Sequence, residues 1–249
     1  MPKPAKVLWT GGWDSTFRVC QLVLNEQRPV QPIYMLDNRS WRFFELETID
    51  RIWHRVRERS EKPLLLQRVT IYPFSRRSTP EPSLKACYDR LLERHSKLGI
   101  QYLKLATIAK ELGLDGLELS WARGEIDENV VQALFLDPDE NLEQRTESDE
   151  AMLFSPFNMP TLRYTKADMR RLAEVSGWLD LMRTTWFCQA PVRGKPCGSC
   201  HSCEYAKQSG EPFEVASRTE QMIHKARSSG TRVWRRGRTA ASSLLRGRT

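Results

Sequence analysis

Two stretches of this 249-residue chain place reactive residue types at short spacing. The first is Val7-Leu8-Trp9-Thr10-Gly11-Gly12-Trp13-Asp14-Ser15-Thr16, an apolar run that ends in two glycines and continues in residues suited to open a helix. Gly11 and Gly12 lack a Cβ, so the backbone is free to take positive φ and turn its N–H groups inward, while Asp14, Ser15 and Thr16 cap or begin a helical turn. Exposed N–H groups at the positive end of a helix attract anions, and a polyphosphate fits that description. An ordinary strand–turn–helix corner would use the same residues. The spacing is neither G-x-x-x-x-G-K-[ST] nor G-x-G-x-x-G, which excludes the two commonest phosphate loops. The second stretch is Cys188-x8-Cys197-Gly198-Ser199-Cys200-His201-Ser202-Cys203. Cys188, Cys197, Cys200 and Cys203 match the four thiolates of a tetrahedral zinc site, which leaves no open coordination position and implies a structural Zn2+. A C-x2-C-x2-C run also suits an iron–sulfur cluster, and His201 is an alternative ligand. Cys20 and Cys87 read as small buried apolar side chains.

The elements that must position these residues alternate strand and helix. Strands are expected at 6–10, 30–36, 64–72, 117–121 and 152–157, and helices at 15–27, 43–59, 84–94, 101–112 and 166–176, the last opened by Thr165 and closed near Gly177. Residues 73–82 form a loop holding Arg76 and Arg77, and the acidic segment 137–150 forms a surface excursion. Alternation of this kind predicts an α/β fold with a Rossmann-like, doubly wound parallel sheet, in which ligands bind beyond the carboxyl ends of the strands where the strand order reverses. The Thr10 loop lies at such an end. So do Asp37 and Asn38, which either face a ligand or simply cap their strand.

Charge separates the body from the tail. No acidic residue follows Glu220, and the eight lysines and arginines of 225–249 equal the whole net charge of +8, so residues 1–224 are electrically neutral. The tail reads either as a solvated terminus or as an arm that touches nucleic acid or an acidic protein, with Trp234 available for stacking. The opening Met-Pro-Lys-Pro-Ala-Lys lacks the apolar core of a secretory leader, and no apolar run approaches the roughly 18 residues that span a bilayer. A cytoplasmic protein without membrane contact is expected, and reduced thiols favour metal over disulfide chemistry.

Thr10-Gly11-Gly12-Trp13-Asp14-Ser15 resembles the S-G-G-x-D-S signature of the PP-loop (ATP pyrophosphatase) superfamily, with threonine keeping the hydroxyl of the usual serine. Together with the C-x8-C-G-x-C-x2-C pattern, the Leu179-Asp180-Leu181 tripeptide and the P-x5-K step from Pro160 to Lys166, the chain from about 5 to 210 resembles the 7-cyano-7-deazaguanine synthase (QueC) family. The resemblance implies a fold of PP-loop (HUP) type over 1–182, a zinc-binding subdomain over 183–224, a basic tail over 225–249, and a homodimer. It also implies ATP and Mg2+ as cofactors and Zn2+ as the metal. Trp9, Thr10, Gly11, Gly12, Trp13, Asp14, Ser15 and Thr16 would bind ATP, Asp14 would orient the loop or the magnesium, and Lys166 would contact phosphate; read without the family, Lys166 is a solvated lysine. The reaction implied is adenylation of a 7-deazaguanine carboxylate and its transfer to ammonia or another amine, giving an amide or nitrile.

The family's D-Y-G-Q-R-H-x-x-E after the second strand is rewritten here as Asp37-Asn38-Arg39-Ser40-Trp41-Arg42-Phe43-Phe44-Glu45, so Asp37, Asn38 and Glu45 are the substrate-binding candidates. The family's P-G-R-N is replaced by Ser96-Lys97-Leu98-Gly99. Two other function classes fit the same residues: an enzyme that joins the activated base to an amine of a protein partner, and a nucleotide- or RNA-binding module without turnover.

Overall fold

The computed structural model describes residues 2–74, 79–95, 98–138, 142–208 and 213–222. Arg76, Arg77, Ser96, Lys97, residues 139–141 of the acidic segment and the tail 225–249 lie outside the described residues. The chain divides into two compact units, one ending at Trp186 and one beginning at Phe187.

The first unit is an α/β sandwich around five parallel strands: β1 (Ala5–Leu8), β2 (Val30–Leu36), β3 (Thr70–Pro73), β4 (Leu117–Glu118) and β5 (Phe157–Asn158), in the order β3-β2-β1-β4-β5. Side chains alternate across a strand. Leu8, Ile33 and Met35 therefore enter one apolar core, and Val7, Trp9 and Tyr34 the other. On the Val7 side lie α1 (Trp13–Cys20), which continues through a π-helical turn Gln21–Asn25, α2 (Arg42–Arg59), α7 (Lys166–Val175) and α8 (Leu179–Met182). On the Leu8 side lie α3 (Pro82–Arg94), α4 (Ile100–Glu111), α5 (Glu128–Leu134) and α6 (Asp149–Phe154). Helices cover both faces, and the strand order reverses between β1 and β4. Ligands of open parallel sheets bind at that reversal.

Two expected strands are corrected. Pro63 starts a 3-10 turn, Pro63–Leu65, inside the stretch read as the third strand, so β3 begins only at Thr70. The apolar residues Met152, Leu153 and Phe154 belong to α6. Ser148 Oγ accepts the Ala151 N–H at 2.9 Å, and Asp149 and Glu150 stand in the positively polarised first turn, which favours helix over strand. The acidic segment is thus only partly a surface excursion: Glu150 is buried, 3.0 Å from His95 Nε2. Helix α5 was not anticipated; Asp127 caps it by accepting the Asn129 N–H at 3.0 Å. Among the described residues no helix is long and apolar enough to cross a membrane.

The second unit contains α9 (His201–Gln208) and the four cysteines of the second motif. Arg193 and Gly194, with φ of +49° and +82°, form the two-residue turn that pairs Val192 with Lys195. Positive φ at both central residues is the hallmark of a type I′ hairpin.

Candidate functional site

At the strand-order reversal β1 delivers Trp9 and Thr10, and the chain turns into α1. Gly11 has φ +71°, whereas Gly12 adopts φ −78° and ψ 170° as the residue that caps the helix. Of the two glycines free to take positive φ, Gly11 alone does so. A Cβ on Gly11 would stand 3.0 Å from the Glu45 carbonyl oxygen and 3.3 Å from Ile49 Cγ1, so the loop lies tight against α2. From the other direction the Trp186 N–H donates to the Gly11 carbonyl at 2.9 Å, and the Trp186 ring stacks on Phe44 with centroids 4.7 Å apart. A trans peptide points its C=O and N–H in opposite directions. Anchoring the Gly11 carbonyl on Trp186 therefore turns the Gly12 N–H away from Trp186.

Hydroxyls hold the loop's shape from within. Ser15 Oγ accepts the Thr10 N–H at 3.3 Å, and Trp9 Nε1 donates to Thr16 Oγ1 at 3.0 Å inside the core. The N–H groups of Gly11, Gly12, Trp13, Asp14 and Ser15 have no acceptor among the described residues. The first turn of any helix leaves such donors over, and here they form a row at its positive end. The indole N–H of Trp13 and the hydroxyl of Ser120, two residues beyond β4, are also buried without a partner. Helix α1 is pinned to β4 by a buried two-pronged pair in which Arg18 reaches Glu118 at 2.6 and 3.0 Å.

The structure brings Asp14 and Lys166 together across 152 positions of sequence. Thr165 and Asp168 form a reciprocal capping box that starts α7, which sets the direction of the Lys166 side chain. Its ammonium contacts Asp14 Oδ1 and stands 3.4 Å from Glu125 Oε2. Burial raises the Asp14 pKa, Lys166 lowers it and Glu125 raises it again, leaving it at about 6 against an ordinary 3.8. Two carboxylates thus share one ammonium beside the row of N–H groups at the start of α1. Glu125 was not anticipated; it is one of two acids in the Gly124-Glu125-Ile126-Asp127 stretch after β4, with nothing in the sequence to single it out.

No protein-family model matches the chain, and no curated protein matches it. The functional reading rests on the residues themselves.

On the β2 side, the candidates Asp37, Asn38 and Glu45 separate. Asp37 and Asn38 line a cavity at the ends of β2 and β3. Glu45 is buried behind it, accepting the Tyr34 hydroxyl at 2.6 Å and Arg39 Nη2 at 3.3 Å. Burial raises the Glu45 pKa, and Arg39 and Tyr34 only partly offset that. Arg39 also holds Asp37, so one guanidinium joins two of the three candidates.

In the second unit the Sγ atoms of Cys188, Cys197, Cys200 and Cys203 lie within 4.8 Å of one another. Four sulfurs at the corners of a zinc tetrahedron with bonds of about 2.3 Å stand roughly 3.8 Å apart. Cys197 and Cys203 are 3.9 Å apart, a match to that spacing and far beyond an S–S bond of about 2 Å. Gly198, with φ +72°, lets the C-G-S-C turn point the Ser199 and Cys200 N–H groups at the Cys197 sulfur, at 3.4 and 3.3 Å. Burial raises the Cys197 pKa, but these N–H donors outweigh it and hold the thiol at about 7, poised toward the thiolate a metal needs. The cluster could hold a metal such as zinc. His201 is exposed at the start of α9 and is not part of it.

Proposed function

We propose that the chain is an adenylating enzyme of PP-loop type and QueC kind, acting on a 7-deazaguanine carboxylate and passing it to a nitrogen nucleophile. The observation that carries this reading is the row of N–H donors from Gly11 to Ser15 at the strand-order reversal, set beside Asp14, Lys166 and Glu125. ATP binds with its phosphates on those donors, and Lys166 lies on the polyphosphate. Asp14 and Glu125 hold the magnesium that accompanies it.

A carboxylate is a poor electrophile because its leaving group would be oxide. Its oxygen therefore attacks the α-phosphorus, the bond to pyrophosphate breaks, and the resulting acyl adenylate offers AMP as leaving group. Ammonia then adds to the carbonyl carbon, loses a proton and expels AMP to give an amide, and a second activation removes the amide oxygen to give the nitrile. The protein's part is positioning and charge neutralisation. The cysteine cluster has all four coordination positions filled by protein and serves as a structural zinc site.

The test is to incubate the protein with ATP, 7-carboxy-7-deazaguanine and ammonia and to follow AMP and the base by mass spectrometry. Base-dependent AMP formation is expected. ATP left intact in the presence of the base would remove the reading. Replacing ammonia by an amine-bearing protein asks whether the rewritten 37–45 segment has redirected the activated base to a protein acceptor.

A further inference from the structure

The first unit has another cavity, of about 410 Å3, bounded by α1, its π-helical continuation, β4, β5 and the 3-10 turn Pro160–Arg163. That volume is within the range of small-molecule sites. Neither Lys166 nor any residue of the donor row from Gly11 to Ser15 lines it. Its charged lining is three arginines and two glutamates, and both acids are already engaged within the wall. The buried Glu118 accepts Arg18 on both oxygens, at 2.6 and 3.0 Å. Glu26 accepts Arg18 on one oxygen at 3.2 Å and Arg28 on the other at 3.4 Å. A guanidinium carries five N–H groups. Arg18 uses four of them, one on Gln21 Oε1 at 2.9 Å, and keeps one on Nη2. Arg28 keeps all but one, and Arg163 has no partner among the described residues. The Tyr164 hydroxyl accepts the Gln21 amide at 3.0 Å, and its own proton has no acceptor among the described residues.

The wall thus has charged donors to spare and no free carboxylate oxygen, which selects an anion over a cation. Donors on four separate side chains suit the outer oxygens of a phosphate better than the two oxygens of one carboxylate, and guanidinium-to-phosphate hydrogen bonds are among the strong ones. We infer that this cavity binds a small phosphate monoester, its phosphate received by Arg163, Arg28 and the Tyr164 hydroxyl. Leu142, Met159 and Pro160 supply apolar surface for the carbon skeleton, and the Asn158 side-chain amide, unpaired among the described residues, offers a donor and an acceptor to a hydroxyl of the ester. The site stands apart from the adenylation reading, because none of its donors belongs to the loop at Gly11.

The test is calorimetric titration of the full chain with ribose 5-phosphate and, separately, with inorganic phosphate, each in the presence of saturating α,β-methylene-ATP so that the Gly11 loop is already occupied. Binding of ribose 5-phosphate is expected under those conditions, with inorganic phosphate weaker because it leaves the apolar surface uncovered. Arg28 and Arg163 are exposed, so Arg28→Gln and Arg163→Gln keep the fold. Each should lose about tenfold in affinity for ribose 5-phosphate, the size of one charge-assisted hydrogen bond, with affinity for the ATP analogue within about twofold of the parent. Unchanged affinity for ribose 5-phosphate in both variants overturns the inference. So does a parent protein that fails to bind it, and so does binding that the ATP analogue displaces, which places the ester on the phosphate loop. Inorganic phosphate bound as tightly as ribose 5-phosphate also overturns it, because the carbon skeleton would then have no place in the site.

Discussion

Asp14 shows at the scale of one residue how a functional group opposes stability. Burial, partly offset by Lys166, leaves its folded pKa at about 6 against an ordinary 3.8. The folded chain therefore holds that proton more tightly than the unfolded chain. Between pH about 4 and 6 folding takes up a proton, so the protonated side chain favours the native state and that advantage fades as pH rises through the window. Above it the ionised carboxylate costs a constant amount, and asparagine at the same place costs nothing of the kind. Asp14→Asn is accordingly expected to melt higher than the parent at pH 8, with the gap closing toward pH 4, while AMP formation is lost. A variant that melts lower at pH 8 would mean that the Lys166 ion pair outweighs the burial. Of this cluster, Asp14 and Lys166 were candidates from the sequence, one just after a double glycine and the other at a helix start through the resembled P-x5-K step; their contact was not. Glu125 was not, because nothing in the sequence separates it from the neighbouring Asp127, and only the fold brings it to Lys166.

At the scale of elements, the loop is held between α2 and Trp186, and its two glycines have different tasks. Gly11 needs φ +71° and has no room for a Cβ, which would meet the Glu45 carbonyl at 3.0 Å. Gly12 has ordinary dihedrals, and its nearest neighbour to a Cβ would be Thr10 Oγ1 at 3.3 Å. Gly11→Ala should therefore destabilise by about 2 kcal/mol or more, roughly 5 °C in Tm for a chain of this size. Gly12→Ala should melt within about 2 °C of the parent, because its strain is confined to one movable hydroxyl. Equal losses in the two variants by thermal denaturation would show that the loop is not held in this way. Trp186→Pro removes the N–H that anchors Gly11 together with the ring that stacks on Phe44, besides fixing φ there, and is expected to raise the KM for ATP; Trp186→Ala, which keeps the N–H, isolates the loss of the ring. The legible elements were those in which local pattern and tertiary packing agree: β2, whose bounds match the expected strand, and α7, marked by its capping box. Misreadings fell where a short apolar run was taken for a strand. Leu153 and Phe154 are buried in the helix while Met152 is exposed, and Ser148, four residues before Met152, caps that helix.

For the whole molecule, metal and charge set expectations that no single element carries. The described residues of the second unit include few large buried apolar side chains, so a metal such as zinc on its four cysteines would supply folding free energy there. One zinc per chain is expected by metal analysis, and Cys200→Ser or strong chelation should lower the melting temperature; iron, or no metal, would overturn the site. The +8 charge behaves differently, because it belongs wholly to 225–249 and residues 1–224 balance to zero. A body of zero net charge exerts little long-range attraction on an extended polyanion, whereas eight cations in 25 residues do. Binding to a single-stranded oligonucleotide should therefore weaken steeply with salt in the full chain, through release of counterions at each contacted phosphate. Removing 225–249 should abolish both the affinity and its salt slope. AMP formation should persist in the truncated protein, since the donor row, Asp14, Lys166 and Glu125 all lie in the first unit. A truncated chain that binds the oligonucleotide as tightly as the parent would locate the polyanion site on the body, and one that loses adenylation would make the tail part of the reaction.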